Sequence, residues 1–459
     1  MHNERITHLT NSSNKKGKYV LYWMQKSQRV AYNHALSYAI EVANENMLPL
    51  VVVFVVTTTF LDANARHYTF MFEGLYEVKA KLEDLGITFV LKTGTFETVI
   101  PDLAREAHTV IFDFGYLRDE RQWRRNVLDA IKQQSLPVKV TLIESDLIIP
   151  VRSAYDKVAY GAYVLRPHIM KKIAFFDDYK PLDEIKNKGL FPIKNDHDIN
   201  QIETLLAHLG INQTVAQSPY FKGGYTAAKE HLKTFLNDKL KHYLLRSDPS
   251  LKIQSYLSPY LHFGQISPLE IYREIITSSY IEEKAQFIEQ ILVRRELAFN
   301  YVYYNKDYDQ FRKMTEPWAY LTMEAHQHDP RDPLYSDNDI EMGLTNDIYF
   351  NTAMNEMRLT GFMANYMRMY WAKKIVTWTP SYKHAYELIV TLNNRYFLDG
   401  RDPNSYVNIA WIFGKMDRPW PERAIFGTLR SMNESGLKKK FDIDTYVAQI
   451  DQLRKNDRK

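Results

Sequence analysis

The segment from Tyr19 to Val56 decides the fold, because it begins with Tyr19-Val-Leu-Tyr-Trp23 and ends with Leu50-Val-Val-Val-Phe-Val-Val56. Both runs are apolar and have the length of buried strands. A helical pattern from about Asn33 to Asn44 lies between them. A strand, a helix and a second strand in this order predict a β-α-β unit with parallel strands.

The same alternation continues through the first third of the chain. Apolar residues recur at spacings of three and four from Met71 to Leu85, which predicts an amphipathic helix that ends at Gly86. The further elements that the pattern predicts are strands at 88–91, 109–113 and 138–144 and helices at 96–107 and 119–134. The sequence therefore predicts an α/β fold with a doubly wound parallel sheet.

A sheet of this kind usually binds a ligand beyond the carboxyl ends of its strands. No GxGxxG or GxxxxGK[ST] loop follows any of the predicted strands, so ordinary dinucleotide or ATP recognition is not expected there. A scaffold role and a ligand-carrying role for this part of the chain stay equally open.

Composition narrows the class of protein further. The 459 residues contain no cysteine, which excludes disulfides, thiolate metal sites, iron–sulfur clusters and a cysteine nucleophile. The polar start, Met1 to Lys18, lacks the apolar core of a secretory signal, and no stretch approaches the roughly 18 apolar residues of a membrane span. We expect a soluble, cytoplasmic protein. The net charge of +4 and the pI near 8.7 permit a polyanionic partner without predicting one.

The chain divides into three parts by pattern. Residues 1–150 form the predicted α/β domain, 151–222 a long connector with short helices, and 223–459 a mainly α-helical domain. The helices predicted in the last part span 226–239, 268–278, 282–304, 347–378 and 382–394.

Two motifs in the helical part bear on chemistry. Leu257-Ser-Pro-Tyr-Leu-His-Phe-Gly-Gln-Ile-Ser267 is a loop that opens into a helix, where hydroxyls and free N–H groups could hold a phosphate. Taken alone, the motif is more typical of a capped helix start. Arg368, Trp371 and Trp378 lie on one helical stripe, and in isolation such a stripe is more typical of a core than of cofactor chemistry.

A third motif, Leu398-Asp-Gly-Arg-Asp-Pro-Asn404, favours cofactor chemistry over a purely structural role for these residues. Together with Tyr19-Val-Leu-Tyr-Trp-Met-Gln25, the 257–267 motif and Tyr366-Met-Arg-Met-Tyr-Trp-Ala-Lys-Lys374, it resembles the photolyase and cryptochrome family, most closely the class II cyclobutane pyrimidine dimer photolyases. The four matches occur in the same order as in that family, and the resemblance runs from Tyr19 to about Asp442.

The resemblance implies an antenna-type α/β domain and an all-α domain that holds FAD, with a possible second, antenna chromophore of unknown identity and no metal. It implies that Arg368 and Asp399 form an ion pair beside the flavin ring and that Asn393 faces its N5 edge. The other implied cofactor-binding residues are Tyr243, Ser255, Leu257, Ser258, Gly400 and Arg401.

The implied partner is UV-damaged DNA, from which the damaged bases are flipped into a pocket. Trp411 and Met369 match pocket positions, and Asp417, Arg418 and Arg430 match a strand-contacting region. Without the resemblance, Arg418, Arg423 and Arg430 would be interpreted as a solvated basic face. Trp371 and Trp378 match two members of a tryptophan chain that passes electrons to the flavin.

The sequence departs from class II at two positions of consequence. Gln290 stands where those enzymes have a carboxylate that hydrogen-bonds the dimer, and Glu289 next to it points about 100° away along a helix. Phe350 stands where they have the remaining tryptophan of the chain, and Tyr349, Tyr366 and Tyr370 are candidates for a detour. Ala364 and Asn394 replace a usual histidine and aspartate.

We therefore expect a monomeric, light-driven lyase that repairs cyclobutane dimers by electron transfer from photoexcited reduced FAD. Gln290 and Phe350 motivate one alternative, a cryptochrome-like blue-light receptor or a photolyase for another lesion. A second alternative is a nucleic-acid-binding module without flavin, which a flavin spectrum would eliminate.

Overall fold

A six-stranded sheet occupies the first third of the chain in the computed structural model, which describes residues 1–10 and 16–457. Its strands are β1 (Ile6–His8), β2 (Tyr19–Trp23), β3 (Leu50–Val56), β4 (Thr88–Thr93), β5 (Ala107–Asp113) and β6 (Lys139–Ile143). They lie in the order β1-β6-β5-β2-β3-β4, and β2 to β6 pair in parallel. The predicted α/β class is confirmed.

Strands β2 and β3 are apolar throughout because both faces of the sheet are covered there. In β2, Tyr19, Leu21 and Trp23 pack into one hydrophobic cluster, whereas Val20 and Tyr22 pack into the other. Successive side chains of a strand point to opposite faces, so two buried faces require an unbroken apolar run.

One strand was not predicted. β1 lies in the polar segment at the start of the chain and pairs antiparallel with β6, with Ile6 opposite Ile143. It is three residues long and only partly buried, so it carries no apolar run for a pattern to detect. The sheet therefore contains one antiparallel strand pair, at the edge formed by β1, beside its parallel pairs.

In the part of the chain that the structure describes, twenty α-helices surround and follow the sheet. They are α1 (His34–Asn46), α2 (Ala65–Asp84), α3 (Phe96–Ala104), α4 (Arg118–Gln133), α5 (Val151–Ala154), α6 (Ala162–Phe176), α7 (Ile202–His208), α8 (Tyr225–Thr234), α9 (Ser258–His262), α10 (Pro268–Ile275), α11 (Ile281–Ile288), α12 (Arg295–Tyr304), α13 (Pro317–Ala325), α14 (Asp337–Met342), α15 (Ile348–Thr360), α16 (Asn365–Trp378), α17 (Tyr382–Tyr396), α18 (Pro403–Ile412), α19 (Glu434–Lys440) and α20 (Ile443–Asp457). All regular strands of the described residues precede α5.

Two of the predicted long helices are interrupted. The stretch predicted at 282–304 consists of α11 and α12 joined by a π-helical segment, Glu289–Arg294. The stretch predicted at 347–378 breaks at Gly361, which ends α15 with φ +77° before α16 begins at Asn365. Glycine adopts this left-handed conformation without steric cost, so the break is encoded locally.

The sheet and the helical part are joined by buried arginines. Arg66 of α2 donates hydrogen bonds to the carbonyl oxygens of Met357 and Tyr396, at 3.1 and 3.0 Å. Arg295 of α12 pairs with Asp146 at 3.1 Å. These contacts fix the carboxyl ends of the strands against the helices. Within the described residues, no helix is both long and apolar enough to cross a membrane.

Candidate functional site

A cavity opens beyond the carboxyl ends of β2, β3 and β5, where the strand order of the sheet reverses. Its empty volume is about 820 Å³, part of it open to solvent. Its walls are formed by Met24, Phe54, Phe60, Phe96, Trp123 and Phe263, and its polar groups include Lys26, His67, Glu120, His262 and Arg401. In open α/β sheets this reversal point is the usual place for a ligand. The aromatic walls suit a flat molecule.

The polar side chains at one end of this cavity are bonded to one another and to nearby backbone carbonyl groups. Lys26 Nζ lies 3.4 Å from Glu120 Oε1 and donates to the carbonyl oxygen of His262 at 3.2 Å. Arg401 contacts His67, and burial lowers the pKa of Arg401 to about 10. Burial, reinforced by the charge of Arg401, also holds the pKa of His67 well below its usual range. A ligand entering the cavity therefore meets a neutral imidazole beside a cationic guanidinium.

A second cluster forms where the turns after α15 and α17 meet. Arg368 of α16 makes a bidentate pair with Asp399, with N–O distances of 2.9 and 3.1 Å. The guanidinium carbon lies 4.0 Å from the centroid of the Phe397 ring, and Nε donates to the carbonyl oxygen of Met363. The Leu398 N–H donates to the carbonyl oxygen of Gly361 at 2.9 Å, which ties the two turns together.

Asn393, in the last turn of α17, lies close to Gly400, in the loop that follows the helix. The Asn393 amide is buried and donates to Asn394 Oδ1 at 3.1 Å, and the Arg401 N–H donates to the same oxygen at 3.0 Å. A Cβ on Gly400 would come within 2.6 Å of the Asn393 carbonyl oxygen, so only glycine permits this close approach. Arg401 follows with φ +59°, and its side chain leaves the turn toward the cavity at the strand ends.

The remaining predicted cofactor residues lie between Tyr243 and the first residue of α9, Ser258. Tyr243 is buried against Phe287, with 5.3 Å between ring centroids, and burial raises the pKa of its phenol to about 12. Leu257 is buried, whereas Ser255 and Ser258 are half-buried. The Arg246 guanidinium lies 5.1 Å from the Tyr243 ring centroid.

These two groups of residues supply what a flavin dinucleotide needs. In the segment that leads into α9, the hydroxyl groups and the cationic Arg246 suit a diphosphate. The paired Arg368 and the Asn393 amide suit the polar edge of a ring that becomes negatively charged on reduction. The residues present therefore fit FAD. Among the described residues, no cluster of histidine, aspartate or glutamate is suited to a metal ion.

Gln290 and Glu289 differ in their surroundings. Glu289 accepts two hydrogen bonds from Arg166, at 2.9 and 2.8 Å, and one from Arg294 at 3.2 Å. Gln290 is half-buried in the π-helical segment. The carboxylate of Glu289 is thus held by two arginines that are more than two-fifths exposed.

The aromatic stripe of α16 contacts α15. Trp371 is buried, and its Nε1 donates to the sulfur of Met354 at 2.8 Å. Trp378 meets Phe350 edge-on, with 4.9 Å between ring centroids. Met369, on the same helix, is half-buried. Each indole therefore packs against a side chain of α15, Trp371 against Met354 and Trp378 against Phe350.

The predicted DNA-contacting residues surround a loop after α18. Trp411 is half-buried, and Arg418 and Arg430 are exposed. The Arg430 guanidinium lies 4.7 Å from the Trp420 ring centroid. The Trp420 Nε1 donates to Asp417 Oδ1 at 3.2 Å. The exposed indole of Trp420 was not predicted, because it lies in a proline-rich loop without periodicity.

Lys373 is a second residue that the sequence analysis missed. It is buried, and its Nζ donates to the carbonyl oxygen of Ile412 at 2.5 Å, next to Trp411. Burial lowers the pKa of its ammonium group to about 7. Lys373 thus fixes the end of α18 against α16, on the side that carries the loop.

Comparison with known proteins gives consistent matches over the chain. The DNA photolyase family model matches residues 20–184. A deoxyribodipyrimidine photo-lyase of Methanothermobacter thermautotrophicus is 40% identical over 452 residues, covering 98% of each chain. A class III photolyase of Agrobacterium tumefaciens has a similar structure, with a TM-score of 0.71, 20% identity and coverage of 95% of this chain and 86% of that one. A Sulfolobus tokodaii photolyase that contains two FAD molecules matches with a TM-score of 0.69, 15% identity and coverage of 94% and 89%.

Proposed function

Because this chain belongs to the DNA photolyase family, we propose that it is a light-dependent flavoenzyme, a deoxyribodipyrimidine photo-lyase that splits cyclobutane pyrimidine dimers in damaged DNA. The observation that carries the proposal is the bidentate pair of Arg368 with Asp399, which lies in the loop that brings Gly400 against Asn393. The proposal includes class II membership, a monomeric state and a cytoplasmic location.

Bound FAD, once reduced, supplies on illumination the electron that opens the cyclobutane ring and takes it back afterwards. The residues of this chain hold and tune that group. Arg368 sets a cation near the ring, and Asp399 fixes the orientation of its guanidinium. Asn393 presents an amide that donates and accepts hydrogen bonds but carries no charge. Trp371 is the relay residue next to this cluster, since its ring packs against Phe397.

The substrate side consists of a pocket and a basic rim. Trp411 and Met369 offer apolar walls for flipped bases, and Gln290 offers a neutral amide to the dimer. Arg418 and Arg430 contact phosphates of the flipped strand, together with Asp417. Exposed Trp420 beside Arg430 adds an aromatic surface on which a base can stack.

The cavity at the strand ends takes a second, antenna chromophore of unknown identity. Its aromatic walls and its position at the reversal of the strand order support this assignment. The Sulfolobus tokodaii photolyase, which contains two FAD molecules, supports the idea that such a fold can hold a second flat ligand.

The alternative is a blue-light receptor that binds FAD without repairing dimers. Gln290 favours it, because an amide cannot carry the charge or the proton of a carboxylate. Phe350 also favours it, because phenylalanine is very hard to oxidise and interrupts the usual tryptophan chain.

One experiment separates the two functions. The protein is supplied with FAD, reduced chemically without oxygen and illuminated with blue light in the presence of dimer-containing oligothymidine. Recovery of thymine absorbance, absent in the dark, supports repair, and chemical reduction bypasses the question of Phe350. No recovery from protein that holds reduced FAD would contradict dimer repair and support the receptor. A protein that takes up no flavin would contradict both.

A further inference from the structure

The electron relay of this chain is interrupted between its two tryptophans. Trp371 and Trp378 are seven residues apart on α16, which is about 10 Å along the helix axis. Phe350 lies against Trp378, and Met354 lies against Trp371. These two side chains, the ones that α15 places against the indoles, are both harder to oxidise than tryptophan. A hole left on Trp371 therefore has no easy route to Trp378.

Tyr370, the residue next to Trp371, lies in a different environment. Its ring is fully buried, and its hydroxyl donates a hydrogen bond to Asp347 Oδ2. Asp347 is 4% exposed and receives Lys374 Nζ at 2.9 Å on the same oxygen. Its other oxygen accepts the N–H groups of Tyr349 and Phe350, both at 3.0 Å, and so caps α15. A buried phenol thus faces a fixed, buried carboxylate.

Such a pair couples electron loss to proton transfer. Burial, reinforced by the charge of Asp347, raises the pKa of the Tyr370 phenol above its usual range, so the hydroxyl keeps its proton while the ring is neutral. Removing an electron makes a phenol strongly acidic, and the hydrogen-bonded carboxylate is then its natural proton acceptor. The proton moves over one hydrogen bond, without entry of water.

The other candidate tyrosines lack this arrangement. The Tyr349 hydroxyl donates to Asp444 of α20 at 2.9 Å. The Tyr366 ring packs edge-on against Phe441, with the Lys440 ammonium 4.4 Å from its centroid. Tyr370 is the one of the three that directly precedes Trp371 in the sequence, and its hydroxyl is bonded to the carboxylate that caps the helix of Phe350.

We propose that Tyr370 is the electron donor to Trp371 in this protein, with Asp347 as the acceptor of its proton. This inference rests on the proposed flavoenzyme function, since the oxidant is light-excited, oxidised flavin. In the step, Trp371 has lost one electron to the flavin. One electron then passes from Tyr370 to Trp371, and the Oη–H proton passes to Asp347 Oδ2. The products are neutral Trp371, a neutral tyrosyl radical and a protonated Asp347, so charge and protons balance.

The first test identifies the radical. Protein loaded with oxidised FAD is illuminated without external reductant and frozen, and its electron paramagnetic resonance spectrum is recorded with ordinary and with ring-deuterated tyrosine. We expect a tyrosyl signal that narrows on deuteration and is lost in Tyr370→Phe. We also expect photoreduction to be slower in heavy water. A signal from tryptophan alone, unchanged in Tyr370→Phe, would overturn the proposal.

The second test uses variants. Asp347→Asn keeps an oxygen that can cap α15 but cannot take the proton, and Tyr370→Phe removes the donor. We expect each to slow photoreduction at least tenfold. Tyr366→Phe, one helical turn earlier, is the matched control and should photoreduce at the wild-type rate. In Phe350→Trp/Tyr370→Phe the tryptophan chain is restored, and fast photoreduction should return without a tyrosyl signal.

The outcomes separate this inference from the proposed function. Dimer repair by chemically reduced wild-type protein tests the function alone, because it needs no relay. Repair together with equal photoreduction rates in wild type, Tyr370→Phe and Asp347→Asn would reject Tyr370 as the donor and leave the function intact. Failure of the double variant to recover, with its flavin still bound, would show that Tyr370→Phe acts by disturbing the packing and would also reject the proposal.

Discussion

Phe350 lies edge-on to Trp378, with 4.9 Å between their ring centroids and an interplanar angle of 85°. The contact fixes both rings, since Phe350 is fully buried and Trp378 is 5% exposed. Tyr335 covers another edge of the same indole, with 5.3 Å between ring centroids. The position that would carry a third tryptophan is therefore well packed but redox-inert, and it offers an electron no easy route to Trp371.

Replacing Phe350 by tryptophan should raise the rate of flavin photoreduction at least tenfold, because it adds an oxidisable ring against Trp378, at the remaining position of the tryptophan chain. The larger side chain enters a filled site, so we expect a loss of stability of about 1–3 kcal/mol. Photoreduction is followed by flavin absorbance, and stability by urea unfolding. Phe350→Leu, which changes packing without adding a redox group, is the control. Equal photoreduction rates in both variants would contradict the prediction.

Replacing Arg368 by lysine should weaken flavin binding. Lysine keeps the charge but cannot make the two parallel bonds to Asp399, nor cover the Phe397 ring as the planar guanidinium does. We expect the dissociation constant for FAD to rise about 10- to 100-fold, which corresponds to about 1.4–2.8 kcal/mol. Fluorescence titration of apoprotein measures it. Arg395→Lys makes the same change in a more exposed pair with Glu341 and should leave flavin affinity unchanged.

The fold was largely predictable because its determinants are local or periodic. Strands buried on both faces give unbroken apolar runs, and β3 matches its predicted bounds, Leu50–Val56. β1 was not predicted because a short, half-exposed edge strand has no such apolar run. The division into three domains stays a prediction, although α6, with 15 residues, is longer than the short helices expected in the connector.

The residues of the site could be predicted only where they belong to a recognisable sequence motif. The positions of Arg368 and Asp399 follow from two motifs, and the structure brings them together. The contact of Tyr370 with Asp347 depends on how α16 packs on α15, which no local pattern encodes. The π-helical segment that carries Gln290 is likewise a product of packing between α11 and α12. The roles of all these residues stay predictions until they are tested.

Replacing Gln290 by glutamate should increase the quantum yield of dimer repair. The change supplies the carboxylate of class II photolyases at a half-buried position, where it could hydrogen-bond the dimer and stabilise charge on it. We expect a gain of several-fold, measured as thymine absorbance recovered per absorbed photon by chemically reduced protein. Glu289→Gln is the matched control, because Glu289 is held by Arg166 and Arg294. A yield that changes in Glu289→Gln and not in Gln290→Glu would show that Glu289 meets the lesion.

Replacing Arg430 by alanine should weaken binding to damaged DNA and make it less sensitive to salt. Arg430 is exposed and stands over the Trp420 ring, so it can reach a phosphate while the indole meets a base. Loss of one phosphate contact lowers the slope of log K against log salt by about 0.9. Affinity is measured at several salt concentrations for DNA with and without a dimer. Arg125→Ala, on the exposed side of α4, should change neither affinity nor slope, and a salt slope that stays the same in Arg430→Ala would exclude the phosphate contact.

Glu296 should make the protein less stable as the pH rises. Its side chain is 2% exposed, and Oε1 accepts the N–H groups of Ile148 and Ile149 at 3.0 and 3.1 Å. Oε2 has no hydrogen-bond partner among the described residues. Burial outweighs these bonds and the nearby Arg295, and it raises the pKa of the carboxyl group from 4.5 to about 8.

The direction of the effect follows from proton binding. Between pH 4.5 and 8 the folded protein keeps a proton on Glu296 that the unfolded chain has released. The stabilisation from this group is therefore complete below pH 4.5 and lost as the pH rises toward 8, at up to about 1.4 kcal/mol per pH unit. Glu296→Gln cannot titrate, so the free energy of unfolding of wild type minus that of Glu296→Gln should fall over this range in urea titrations. Glu282→Gln, at an exposed site of α11, shows whether the substitution itself adds a pH dependence. A difference between wild type and Glu296→Gln that stays constant would mean that Glu296 ionises at the same pH in the folded and unfolded chain, and that its burial is compensated by the two N–H groups and Arg295.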